Sequence, residues 1–547
     1  TTPQLMAPCL DVYARAAQQD PHQRQMLLGE MFTAEQLAQA SITSQQIAQA
    51  SATLAENARD PKVGALIRKE RDLKGKLDLL YSQRDEMAQA RQQGAPVTPA
   101  QTAALDKQVA AIRSQLDDAD SALQAASPNY GQLVQEVVPA SAVFAQLHPN
   151  EAFVALSLAD KDGWVFLLRN HTITVSKIKA GMKDVAGLVQ RIRASIELTT
   201  SGLPPFDIAD AQQLYKLTLG GVAKQLAGVK SVVVAPTGPL LSLPFEVMLT
   251  GPAEQGDLAG APWLMRQYTL AHVPAPSNFV SLRKIAGDSR AAKPWFGFGD
   301  FQPVTLAQAE KSFPGSRCAD SAQLLAGLPL LPYAGKELTA ARELLGASKA
   351  DELLGAAFTV PAVMRLPLDN YRILQFSTHA LLPTDLRCQN QPAIVTSNPA
   401  GATDAKNALL TSADVMQLKL DADLVILSAC NTGGPGGSTA GESLSGLARS
   451  FFYAGARSLL VTHWDVNDQV AAFLVADTLA RMRQNPALGV TGALRDAELS
   501  MLAQAGKGLP PEIAHPFFWA PFAVIGDGGE RLKTVQQAGP SQRFAGL

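Results

Sequence analysis

Residues 372–377, RILQFS, run straight into THALL (378–382), and residues 424–428, LVILS, run into ACNTGGPGGSTAGES (429–443). Each is a short apolar run that stops at a polar break, the pattern of a strand buried on both faces. Runs of the same kind occur at SVVVA (231–235), WFGFG (295–299), SLLVT (458–462) and FAVIG (522–526). Between several of them lie helical segments, read at 209–226, 336–345, 443–453 and 470–483. Strands alternating with helices predict an α/β architecture, a mostly parallel sheet covered on both faces. His379 and Cys430 each follow one of these strands, so both are expected at the carboxyl edge of the sheet, where open α/β sheets place their sites.

The chain differs upstream. The first 130 or so residues are rich in Ala and Gln and poor in aromatics, and they read as an all-α region. Residues 34–57 form one long helical candidate or two short ones. Leu66, Leu73, Leu80 and Met87 recur every seven residues. After a Gly/Pro break at 94–99, Leu105, Val109, Ile112, Leu116, Ala119 and Leu123 alternate in steps of four and three, the seam of a helical hairpin. Near residue 140 the pattern turns to strands. Residues 152–158 and 164–169 read as a hairpin, with 172–178 as a third antiparallel strand.

Bulk properties narrow the function classes. A length of 547 residues implies several modules. A net charge of −2 with no basic cluster argues against nucleic acid, and no apolar run approaches membrane-spanning length. The four cysteines (Cys9, Cys318, Cys388 and Cys430) are scattered with no C-x-x-C pair. That predicts no disulfide framework, no zinc site and a reducing, cytoplasmic setting. A chain opening on Thr1 rather than Met is read as having lost an upstream piece, either an added tag or a leader peptide.

Taken singly, a Cys after a strand is ordinarily a small buried residue and a His ordinarily structural. The matched strand-end placement and the spacing, 430 − 379 = 51 residues, favour a catalytic pair. An imidazole next to a thiol favours the nucleophilic thiolate and can protonate a leaving amine. His463, in VTHWDVND, is a rival base; its structural reading is a rim residue beside Trp464. The Gly-rich stretch after Cys430 is no phosphate loop, because Gly441 is followed by Glu442 where a Lys is needed.

The residues resemble a known family. LLTSADVMQLKLDADLVILSACNTGG (409–434) and GESLSGLARSFFYAGARSLLVTHWDVND (441–468) look like the core of the CHAT domain, a bacterial relative of caspases and separase. LPF (243–245), FGFGD (296–300), FSTHALL (376–382) and HPFFWAPFAVIGD (515–527) follow in the family's order. The resemblance spans roughly residues 140–530 and implies a caspase-like sheet, split into an N-terminal part (140–290) and a catalytic part (291–530). Before it stands the helical, TPR-like region (1–130), and after it a tail (531–547).

It also implies site residues. Cys430 aligns with the nucleophile and His379 with the base; the N–H groups of Cys430 and Ala380 would form the oxyanion hole. Relatives in the wider clan often carry Gly where Ala380 stands. Glu442, Asp465 and Asp468 are candidate substrate-binding acids for a basic residue before the scissile bond. No metal or organic cofactor is expected. The implied function is a cysteine endopeptidase cutting a specific protein in bacterial defence or cell death. The helical region would restrain it until a partner engages, or would only tether it to its substrate. The rivals are a catalytically silent CHAT-fold scaffold and another thiol acyl-transfer enzyme.

Overall fold

The computed structural model of the chain describes residues 2–39, scattered helical positions between 63 and 87, and residues 98–126, 137–284, 289–428, 447–464 and 467–528, apart from 384, 387 and 390. Two compact units emerge: residues 1–41 with 135–547, and residues 42–134.

In the second unit, helix α3 (Pro99–Ala126) carries the expected seam. Leu105, Val109, Ala119 and Leu123 are buried, and Ile112 and Leu116 are half-buried. Leu66, Leu73, Leu80 and Met87 all lie in helical conformation, with Leu73 buried. The Gly/Pro break at 94–97, and residues 40–57 of the first helical candidate, lie outside the described residues.

The first unit is built on one sheet. The apolar runs become β1 (Glu151–Leu158), β2 (Gly163–Arg169), β3 (Thr172–Ile178), β4 (Ser231–Ala235), β6 (Lys293–Gly299), β8 (Tyr371–Ser377), β12 (Leu424–Ser428), β13 (Ser458–Thr462) and β14 (Phe522–Gly526). Two further members, β5 (Thr269–His272) and β7 (Glu352–Leu354), carry no such signature. The order is β3-β2-β1-β4-β5-β14-β13-β12-β8-β6-β7. The pairings β1–β2, β2–β3 and β13–β14 are antiparallel and the rest parallel. The expected mixed α/β class, with a mostly parallel sheet and a small antiparallel segment, is therefore present. A separate three-stranded sheet joins β9 (Ala380–Leu381), β10 (Ala393–Val395) and β11 (Leu409–Thr411).

Alternation along each strand sorts the side chains onto two faces. Val154, Val165, Val232, Trp295, Ile373, Ile426 and Leu460 belong to one core that runs the width of the sheet. The opposite face divides in two. Phe153, Phe166 and Val233 meet α1 (Thr2–Gln19) and α2 (Arg24–Gln39), whose Phe32 ring stands 5.8 Å from that of Phe166. Phe298, Leu374, Phe376, Val425 and Val461 form the other part. The Gln25 side chain exchanges two hydrogen bonds with the backbone of Ile173 (3.2 and 2.8 Å), which covers the open edge of β3.

One expectation is overturned. Cys318 and Cys388 form a disulfide, with Cα atoms 5.8 Å apart across a separation of 70 residues. The fold brings together cysteines that share no sequence motif, so their scatter said nothing about pairing. The cysteine argument for a reducing compartment loses its footing. Among the described residues, no helix is long and apolar enough to cross a membrane.

Candidate active site

Strands β8 and β12 lie side by side in parallel, with Ser377 opposite Ser428. The Thr378 N–H donates to the Ser428 carbonyl at 3.2 Å, so the pairing continues one step past the strand ends. His379 and Cys430 therefore stand two positions beyond a registered pair in the sequence. Cys430 itself lies outside the described residues, as do Glu442 and Asp465.

His379 is buried, 6% exposed. Its Nε2 is 2.8 Å from the carbonyl of Pro329, which lies between α5 (Ala319–Ala326) and α6 (Ala334–Leu345). A carbonyl only accepts, so Nε2 carries the proton and Nδ1 is the basic nitrogen of the neutral ring. Phe301 meets the imidazole edge-on, with ring centroids 5.2 Å apart. The His379 carbonyl accepts from the Val395 N–H at 2.8 Å, and Ala380 pairs with Ile394 one step along. In an antiparallel ladder that alternation directs the Ala380 N–H away from β10.

Glycines bring α6 close above these strand ends. A Cβ on Gly299 would lie 2.8 Å from Leu338 Cδ1 and 2.6 Å from the Ser377 carbonyl. One on Gly297 would lie 2.2 Å from the Trp295 ring. The helix so seated presents Glu337, 1% exposed. Its Oε1 accepts from Gln375 Nε2 at 2.6 Å and its Oε2 from Ser428 Oγ at 2.9 Å. Ser377, opposite Ser428 in the register, lies beside the carboxylate. Trp295 Nε1 in turn donates to Gln375 Oε1 at 2.8 Å. Burial pushes the Glu337 carboxyl up to about 7. Bonds from Gln375 and Ser428 oppose that rise, nearby Asp468 adds to it, and Ser377 opposes it. Helical phase was a usable signal for this group, because Glu337, Ala341 and Leu344 follow i, i+4, i+7 on the buried face.

Asp468 is the first residue of helix α7 (Asp468–Gln484). Its Oδ2 accepts from the Tyr333 N–H at 2.6 Å. Burial pushes its carboxyl above the usual carboxylate range, while the Tyr333 N–H and nearby His379 pull it back. Of the three candidate substrate-binding acids, the structure places this one near the imidazole.

His463 is more enclosed than a rim residue, at 4% exposure. Its surroundings include Arg193, which donates to the His463 carbonyl at 3.0 Å. Burial, helped by His272 and Arg193, pushes its imidazole down to about 3. It stays neutral and walled in, unsuited to meet a substrate. Buried Glu246, raised to about 8, and His272, lowered to about 4, are likewise uncharged at neutral pH. Among the described residues, no cluster of His, Cys, Asp and Glu is arranged to hold a metal.

Comparison with known proteins adds a family. Residues 209–527, more than half of the chain, match the CHAT domain. Mouse tetratricopeptide repeat protein 28 is 29% identical over 149 residues, which is 26% of this chain and 6% of that protein. Among solved structures, the Saccharomyces cerevisiae separase–securin complex overlaps 71% of this chain and 30% of its own at 8% identity and a TM-score of 0.42. The Arg-specific cysteine proteinase gingipain R overlaps 64% of this chain and 76% of its own at 9% identity and a TM-score of 0.34. At these scores the architecture rests on this chain's own strands.

Proposed function

This chain belongs to the CHAT domain family, and on that footing we propose that it is a cysteine endopeptidase with Cys430 as nucleophile and His379 as base. The observation that carries the proposal is the registered pair Ser377–Ser428, with an imidazole two positions past one strand end and a thiol two positions past the other in the sequence. The Pro329 carbonyl supports it by holding the ring in the tautomer the chemistry needs.

His379 Nδ1 takes the Cys430 thiol proton, and the thiolate adds to the peptide carbonyl carbon. The oxyanion that forms is met by the N–H groups of Ala380 and Cys430, the former directed away from β10 as the ladder requires. Collapse breaks the C–N bond, and Nδ1 gives its proton to the leaving amine. Water, deprotonated by the same nitrogen, then attacks the thioester and restores the thiol. No cofactor enters these steps. Asp468, with Glu442 and Asp465, is assigned to hold a basic side chain before the scissile bond.

The domain reading belongs to the same proposal: an N-terminal part (140–290), a catalytic part (291–530) and a tail (531–547), preceded by the helical region. That region restrains the peptidase until a protein partner engages it, and the output is cleavage of a specific protein in defence or cell death. A cytoplasmic setting is kept as part of this proposal, although a cytoplasmic chain would ordinarily hold Cys318 and Cys388 as thiols.

An electrophilic peptide probe should label Cys430, and Cys430→Ala should abolish both labelling and cleavage in a folded protein. His379→Ala should lose nearly as much, since members of a dyad act as a unit. Wild-type cleavage by Cys430→Ala would refute the assignment. A probe that never labels Cys430 would favour the silent scaffold.

A further inference from the structure

We propose that Glu337 is a positioning residue of the peptidase site, tying the end of β8 to the end of β12 through a carboxylate set down from α6. The inference rests on the dyad of His379 and Cys430. Its own support is geometric and independent of that chemistry.

The two strand ends meet at Ser377 and Ser428, and one carboxylate accepts from the Ser428 hydroxyl of β12 at 2.9 Å while its other oxygen turns to β8. Gln375, one turn of the pleat earlier on the same face of β8, fills Oε1 at 2.6 Å and is itself held by Trp295 of β6. One buried group thus links three adjacent strands and the helix above them. Among the described residues, the charged neighbour that acts on it is Asp468, from α7, which also lies near His379.

Gln375 and Ser428 both offer hydrogens to the carboxylate, which favours its ionised form and works against the effect of burial. On protonation one oxygen must donate instead, and a serine hydroxyl has to turn. Glu337 changes charge near pH 7, within the range in which a peptidase works. A registered strand end that shifts by a fraction of an ångström moves everything attached to it. A misplacement of about 1 Å at reacting groups can lower turnover on the order of a hundredfold. A purely structural carboxylate would change the amount of folded protein and leave the folded fraction's kinetics alone.

The test uses the full chain, a short fluorogenic peptide, and the rate at which iodoacetamide alkylates Cys430, read site by site by mass spectrometry. Glu337→Gln keeps the volume and the oxygen that faces Gln375, and loses the acceptor that faces Ser428. The expected result is a fall in kcat of roughly tenfold or more with KM nearly unchanged. Cys430 alkylation should slow in parallel, and the kcat–pH profile should lose the step near pH 7 while keeping the limb that belongs to the dyad. Ser428→Ala should shift the same readouts in the same direction by less, and adding it to Glu337→Gln should cost little more.

Unchanged kcat, alkylation and pH profile in folded Glu337→Gln would overturn the positioning role. If that variant does not fold, an unchanged Ser428→Ala does the same. Cleavage that survives Cys430→Ala is a different failure: it removes the peptidase reading, and the positioning role falls with it.

Discussion

Replacing Glu337 by Gln should shift stability in the variant's favour, relative to the wild type, as pH rises from 4.5 through 7. In the folded chain burial raises this carboxyl from 4.5 to about 7. A group whose folded pKa is raised favours folding where it is protonated. That contribution is complete below pH 4.5 and is lost as pH climbs through 7. Above pH 7 the folded state carries a buried charge that the unfolded state solvates freely. At about 1.4 kcal/mol for each pKa unit, the penalty is about 3 kcal/mol. Gln has no charge to bury, so the variant escapes it. The assay is denaturant unfolding of the Cys430→Ala chain, with and without Glu337→Gln, at pH 4.5 and pH 8. Packing changes that do not titrate, and the other buried acids Glu246 and Glu498, are common to both pH values or both proteins and cancel. The stability difference between the two proteins should widen by about 3 kcal/mol from the lower pH to the higher. A difference that stays constant would show that the carboxyl does not titrate as its burial requires. If the site needs Glu337 and the fold does not, function and stability pull this residue in opposite directions.

Serine at both Cys318 and Cys388 should lower stability by about 2–4 kcal/mol, because the bridge closes a long loop; equal unfolding midpoints with and without it would refute this. A peptide library should select Arg or Lys before the scissile bond, held by a desolvated ion pair; a profile dominated by Asp or large apolar residues would remove Asp468 from the pocket. Excising residues 42–134 should raise turnover of a short peptide if the helical region restrains the site. Excision is preferable to removing residues 1–130, which would strip Phe32 and Met31 from the core under β2. Unchanged turnover in a folded excised chain would leave tethering as the helical region's role.

Most strands were legible in the sequence because they are β-branched and aromatic runs bounded by polar breaks. SVVVA, LVILS, SLLVT and FAVIG match β4, β12, β13 and β14 end to end. The misses have a common cause. Thr269–His272 becomes β5 by pairing between β4 and β14, and its own composition carries no strand signal. The three-residue strands around His379 are too short to show a period. For the site, His379 stood out by placement alone, whereas Pro329 sits in LPLLP with no motif to mark it. Glu337 lies in the helix read at 336–345, where phase alone puts it on the buried face and names no partner. Its partners became visible only once register put Ser377 beside Ser428.

Strand β14 comes after every other described strand in the chain, yet it sits in the middle of the sheet, between β5 and β13. During synthesis, residues 151–272 and 293–462 can pair within themselves and form two separate half-sheets. Each would expose a full-length open edge, the kind of edge that recruits other chains. The two become one surface only when residues 522–526 leave the ribosome and slot between them. The order of translation therefore delays completion of the sheet until nearly the whole described chain has been made. A nascent chain stalled before that point carries two open seams for chaperones to cover.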